Sequence, residues 1–153
     1  MVEKKQLKII EKITQEVLER LEIKSSFTTE AKEDLIEINF QTENPAILIG
    51  WHGETLNSLQ LILQLIAYRK LGTWVRILVD TGDYRQRRAE ALKRIALSVA
   101  QKVKFSGNEQ ELLPMNASER RIIHLALAQE AGVETESRGE GYDRHVVVKP
   151  KNG

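Results

Sequence analysis

Gly50-Trp51-His52-Gly53 stands between a short apolar run, Ile47 to Ile49, and a strongly apolar stretch that opens at Glu54. Two glycines two residues apart reach conformations closed to residues with a Cβ and let the backbone approach a bulky partner. A helix starting at Glu54 would aim its unpaired N–H groups and the positive end of its dipole at that turn, which suits an anion such as phosphate. Trp51 has two readings, a ring stacked on a base or a packing aromatic, and His52 adds charge only when protonated. A second constellation is Arg120 with His124, one helical turn apart. Together they can offer a guanidinium fork and an imidazole to one phosphate. The alternative is a pair that caps a helix or edges a core.

The charge pattern fits a polyanion. Residues 1–68 carry 7 Lys/Arg against 11 Asp/Glu, residues 69–104 carry 10 against 3, and residues 105–153 carry 6 against 8. The net charge of +1 therefore conceals a basic belt in the middle third, to which Arg85, Arg87, Arg88 and Arg94 belong. Arg87 and Arg94 have the plainer reading of a solvated helix face.

Other chemistry finds little support. The chain has no cysteine, and its three histidines are scattered at 52, 124 and 145, so no disulfide, metal site or cofactor is expected. No Gly-rich nucleotide loop is present, and no histidine is paired with a nucleophile, so the expectation is binding rather than catalysis. Residues 1–23 mix Lys and Glu along an amphipathic pattern, and no window approaches a membrane span, so a cytoplasmic protein without membrane insertion is expected.

The elements that must position these residues can be read in order. Leu7, Ile10, Ile13, Val17, Leu18 and Leu21 recur at helical spacing and predict a helix over about 3–22. Ser26 to Glu30 and Leu35 to Phe40 read as a hairpin, and Asn44-Pro45 as the cap and first position of a short helix ending at Ile49. The next helix, Glu54 to Arg69, carries Leu56, Leu59, Ile62, Leu63 and Ile66 on one side. Leu61 and Leu65 widen its apolar arc beyond the roughly 100° of an ordinary surface helix. Asn57, Gln60, Gln64 and Tyr68 leave a narrow polar strip open to solvent or ligand. Thr73 to Asp80 alternates as a third strand. A long helix over 84–105 buries Leu92, Ile95, Ala96, Val99 and Val103. Gln110 to Leu113 reads as a short strand stopped by Pro114. Asn116 with Glu119 forms a capping box that opens a helix through about Gln129. Val133 to Ser137 and Tyr142 to Lys149 close the chain as a hairpin.

Two matches then fall in one chain, in one order. Residues 1–81 resemble a KH domain of the type II arrangement: helix, two strands, short helix, GxxG, helix, strand. Asn116-Ala-Ser-Glu-Arg-Arg-Ile-Ile-His124 resembles the signature of the R-three-H domain, helices with a small three-stranded sheet, here assigned to residues 82–153. The tandem is similar to the bacterial Jag family of SpoIIIJ-associated proteins, and Leu48-Ile49-Gly50, Gly53 to Leu56, Tyr84 to Arg88 and Pro114 to His124 carry the resemblance. It implies an α+β protein that binds single-stranded RNA, or single-stranded DNA, as an RNA chaperone or post-transcriptional regulator linked to cell elongation and division. It also implies contacts at Gly50, Trp51, His52, Gly53, Arg85, Arg87, Arg88, Arg94, Arg120, Arg121 and His124, and a homodimer or a heterodimer with a small KH-domain protein. The alternative is a KH-mediated dimerisation or scaffold protein with little nucleic-acid affinity of its own. Two features depart from the family pattern. The chain leaves no room for an N-terminal Jag domain and charged linker, and Trp51 and His52 stand where family members usually place a basic residue.

Overall fold

A computed structural model describes residues 2–152. The chain is α+β and divides between Arg85 and Gln86 into two compact units.

The first unit opens with α1 (Lys4–Arg20), started by Glu3, whose N–H donates to Gln6 Oε1 at 2.9 Å. Its apolar stripe, Ile10, Ile13, Val17 and Leu18, is buried, and the Thr14 hydroxyl in that stripe is satisfied by Ile10 O at 2.8 Å. β1 (Ser26–Ala31) pairs antiparallel with β2 (Leu35–Gln41), and β2 pairs parallel with β3 (Arg76–Thr81), giving the order β1-β2-β3. Two parallel neighbours need a crossover, which α2 (Pro45–Ile49) and α3 (Glu54–Leu71) supply. Ile36, Ile38 and Phe40 of β2 meet Leu48, Leu56, Leu59 and Leu63 of the two helices in one core. A one-residue slip of β2 would turn all three out of it.

Three expectations are corrected here. The third strand starts at Arg76 rather than Thr73, because its partner begins at Leu35, opposite Arg76, and earlier residues have nothing to pair with. Asn44 sits at the start of α2, but its side chain makes no cap hydrogen bond. Ile62 lies 43% exposed beside Leu61 and Leu65, whereas Leu59, Leu63 and Ala67 fill the interior side of α3.

The second unit holds most of α4 (Tyr84–Ser106), α5 (Ala117–Leu127) and an antiparallel sheet of order β4-β6-β5, with β4 at Gln110–Glu111, β5 at Val133–Arg138 and β6 at His145–Pro150. Leu92, Ala96, Ala100 and Val103 form the buried stripe of α4. Ile95, expected in that stripe, is 42% exposed, and Ala100 takes the interior position instead. Ile123 and Leu127 of α5 and Val146 and Val148 of β6 complete the core. Asn116 caps α5 by accepting from the Glu119 N–H at 3.0 Å. β4 is shorter than expected, and α5 stops at Leu127, short of Gln129. β6 begins only at His145, because Gly141–Asp143 forms a single 3-10 turn.

Candidate nucleic-acid interface

Between α2 and α3 the chain makes one turn of 3-10 helix at Trp51–Gly53. Gly50, His52 and Gly53 all have positive φ, at 66°, 49° and 86°. A Cβ on Gly50 would stand 2.1 Å from Thr55 Oγ1, and one on Gly53 would stand 2.9 Å from Tyr84 Cε1, so both positions require glycine on grounds of space as well as backbone angle. His52 holds an angle that side chains rarely adopt, a strain of the kind that concentrates at ligand clamps. Its ring stacks on Trp51 with centroids 4.1 Å apart and planes at 29°. Trp51 remains 70% exposed, so the pair presents an aromatic surface to solvent at the N-terminus of α3. Glu54, also in that first turn, places a carboxylate where the helix dipole would draw an anion. Beside α2 a cleft of about 710 Å³ is lined by Ile47 and Leu48 together with Leu21, Ile23 and Gln41.

Arg85 is built into the fold. Its Nε donates to Val79 O at 2.7 Å, Nη1 to Asn57 Oδ1 at 2.9 Å and Nη2 to Gln60 Oε1 at 3.1 Å. Gln60 Oε1 also accepts from the Val79 N–H at 3.0 Å, so Arg85 and Gln60 together satisfy both backbone groups that Val79 turns away from β2. Burial pulls the Arg85 guanidinium below its ordinary pKa, opposed by the charges of Asp80 and Tyr84. Asn57 and Gln60, expected on a strip open to solvent or ligand, are thus ligands of Arg85.

Arg88 is committed as well. Its Nε and Nη2 reach the two carboxylate oxygens of Glu119 at 2.7 and 3.3 Å, and both side chains are largely enclosed. Glu119 turns to Arg88 rather than back to Asn116, which accounts for the half-made capping box. Arg87 and Arg94 lie on the exposed side of α4 and Arg121 on the exposed side of α5.

The structure does not leave Arg120 and His124 as an open pair. His124 Nδ1 lies 2.7 Å from Thr135 Oγ1 and Nε2 lies 2.8 Å from Ser137 Oγ, so β5 grips both ring nitrogens. Arg120 Nη1 donates to Met115 O at 2.7 Å from a half-buried position, fixing the loop ahead of α5. Desolvation, then the charges of Arg120 and Arg144, hold the His124 pKa below its usual value, which keeps the ring neutral near pH 7. No motif singles out Arg144. On the other side of the sheet Arg138 bridges Glu109 and Glu136, and Lys149 bridges Glu136 and Glu134, so those cations are balanced by carboxylates. Among the described residues no cluster of His, Cys, Asp or Glu could hold a metal ion, and no helix is long and apolar enough to cross a membrane.

A three-stranded sheet with a parallel β2–β3 pair, a glycine-bounded turn between two helices, and an Arg-x-x-x-His helix gripped by a small sheet define a tandem of KH and R-three-H type. Residues 8–79 match the family described as KhpA/KhpB, KH domain, and residues 90–150 match the R-three-H domain. Over 147 residues the chain is 35% identical to RNA-binding protein KhpB of Clostridium symbiosum, covering 96% of this chain and 65% of that protein. It is 34% identical over 156 residues to RNA-binding protein KhpB of Bacillus subtilis strain 168, covering 95% and 75%. The KhpB of Lactiplantibacillus plantarum is 41% identical over 111 residues, which span 34% of its length. The chain belongs to the KhpB family, and it spans between about a third and three quarters of the length of these relatives.

Proposed function

We propose that this chain binds single-stranded RNA, in keeping with the RNA-binding names of its relatives, and that it does so without catalysis. The observation that carries the reading is the Gly50–Gly53 turn. KH domains clamp about four backbone nucleotides at a GxxG loop, and here both glycines are demanded by angle and by space while Trp51 stays exposed. With no Lys or Arg between the glycines, the clamp works through backbone N–H groups and the α3 dipole, and Trp51 adds a stacking surface for a base. The charges of Arg94, Arg120 and Arg121 add sequence-independent attraction. Arg85 and Arg88, named with them from the sequence, act instead by holding the scaffold. We assign the KH part to residues 1–85 and the R-three-H part to residues 86–153.

The test is Trp51→Asp with His52→Asp, which keeps both glycines and sets two carboxylates against the phosphates. Affinity for a mixed-sequence single-stranded RNA falls at least tenfold, about 1.4 kcal/mol, with the thermal melt unchanged. Undiminished binding by a folded variant would sink the reading.

A second reading concerns assembly. Leu61, Ile62, Leu65 and Tyr68 of α3 are 43–54% exposed, and Trp74, 52% exposed, lies against Tyr68 with ring centroids 6.0 Å apart. A continuous apolar face of this kind marks a partner site, and we assign it to pairing with a second KH unit, either another copy or a small KH-domain protein.

A further inference from the structure

We propose that Tyr142 and Arg144 form a base-stacking subsite for single-stranded nucleic acid on the turn between β5 and β6. This rests on the RNA-binding reading and extends it to a place that no motif marks. Tyr142 is 98% exposed, so its ring contributes nothing to the core. A lone exposed aromatic is ordinary in itself. What distinguishes this one is that the turn beneath it is tied into one shape. Gly139 has φ 83°, and a Cβ there would come within 2.9 Å of Asp143 O. Arg144 Nη1 donates to Gly139 O at 2.9 Å, closing the turn from the far side. The Asp143 N–H donates to Glu140 O at 3.1 Å and the Arg144 N–H to Gly141 O at 3.3 Å, while Arg144 O accepts from the Met115 N–H at 3.2 Å. His145 Nδ1–H donates to Asp143 O at 2.8 Å. The backbone that carries the ring therefore has little conformational freedom left to lose on binding.

The charges around the ring say which part of a nucleotide meets it. Arg120 Nη1 donates to Met115 O at 2.7 Å and the Met115 N–H donates to Arg144 O at 3.2 Å, so both arginines are tied to Met115 beside the β5–β6 turn, and the charges of both act on His124. Glu140 and Asp143 flank Tyr142 on its own turn and repel phosphate there. A strand therefore lays its phosphates toward Arg144 and Arg120 and turns an uncharged base face to Tyr142. Stacking of this sort tolerates any base, so the ligand class is unpaired RNA or DNA, and a duplex, whose bases are already stacked, is excluded.

The experiment uses the intact chain and a short mixed-sequence single-stranded RNA, with affinity measured across a salt series. Tyr142→Ala weakens binding at least about fivefold without changing the slope of log affinity on log salt, and Tyr142→Phe binds as wild type does. Arg144→Ala lowers the slope by roughly 0.7, the value of one phosphate contact to a single strand. Bromouridine-substituted RNA crosslinks to wild-type protein at Tyr142, a readout independent of how any variant folds. Wild-type affinity in Tyr142→Ala, with no crosslink at Tyr142, overturns the subsite and leaves the RNA-binding reading standing. A wild-type chain that binds no RNA overturns both.

Discussion

Arg88 and Glu119 form the most enclosed ion pair among the described residues, with side-chain exposures of 19% and 8%. Each charge has lost much of its water and is held by the other. Arg88→Ala leaves the Glu119 carboxylate buried without that partner and should cost about 3–5 kcal/mol of stability, whereas replacing both with apolar residues of similar volume should cost far less. Urea unfolding of the two variants compares them directly. His124 gives a pH signature at the same scale. Its folded pKa is depressed, by desolvation first and then by Arg120 and Arg144, so the unfolded chain takes up a proton at a higher pH than the folded one. The stability that neutral His124 contributes is therefore complete above the unfolded value of about 6.5. It is lost as pH falls through that value toward the lower folded one, and no further loss follows below it. Thermal midpoints measured across this window should drop for the wild type and drop less for His124→Gln. A core-edge role for His124 is one of the two readings its spacing allows, but the partners are not legible in the sequence. The partners of Arg88 and His124 lie 31, 11 and 13 residues away, at distances set by the fold and not by any local spacing.

At the scale of elements much is legible, because the period of apolar residues survives into the structure. Ile36, Ile38 and Phe40 alternate on β2 as the strand period requires, and Leu56, Leu59 and Leu63 line the interior of α3. Periodicity fails to decide which apolar residues on a broad arc point inward. Spacing alone assigns Ile62 and Ile95 to cores, but Ala67 and Ala100 hold the interior positions, since a small side chain lets a helix approach its neighbours closely. Leu61 and Leu65 are surplus to one face by the same spacing, and the structure leaves them 54% and 49% exposed. Leu61→Glu with Leu65→Lys should convert a dimer into a folded monomer in sedimentation while leaving the thermal melt of the unit near wild type. A variant that unfolds, from a wild type that is already monomeric, would refute the interface.

For the molecule as a whole, the belt of basic residues in the middle third is less available than its composition implies. Arg85 and Arg88 serve the scaffold, Lys70 pairs with Glu16, Arg76 with Asp34, and Lys104 with Glu130. The expected salt dependence of RNA binding is correspondingly modest. Arg94→Ala and Arg121→Ala should each flatten the slope of log affinity on log salt by roughly 0.7 and weaken all single strands alike. A loss confined to one sequence would count against them as phosphate contacts.

The bonds that Arg85 makes to Val79 also decide where the chain can be cut. A KH fragment ending at residue 81, the limit read from strand periodicity, would contain every strand and helix of its sheet. It would nevertheless lack the guanidinium that satisfies the Val79 carbonyl and the Tyr84 ring that lies over Gly53. Its last strand would then leave the Val79 carbonyl open at the sheet edge, a group that another extended chain can pair with. Extending the fragment through Arg85 restores the donor to that carbonyl. On this ground we propose that the KH unit ends at Arg85, a side chain on the next helix, and not at the end of its own sheet.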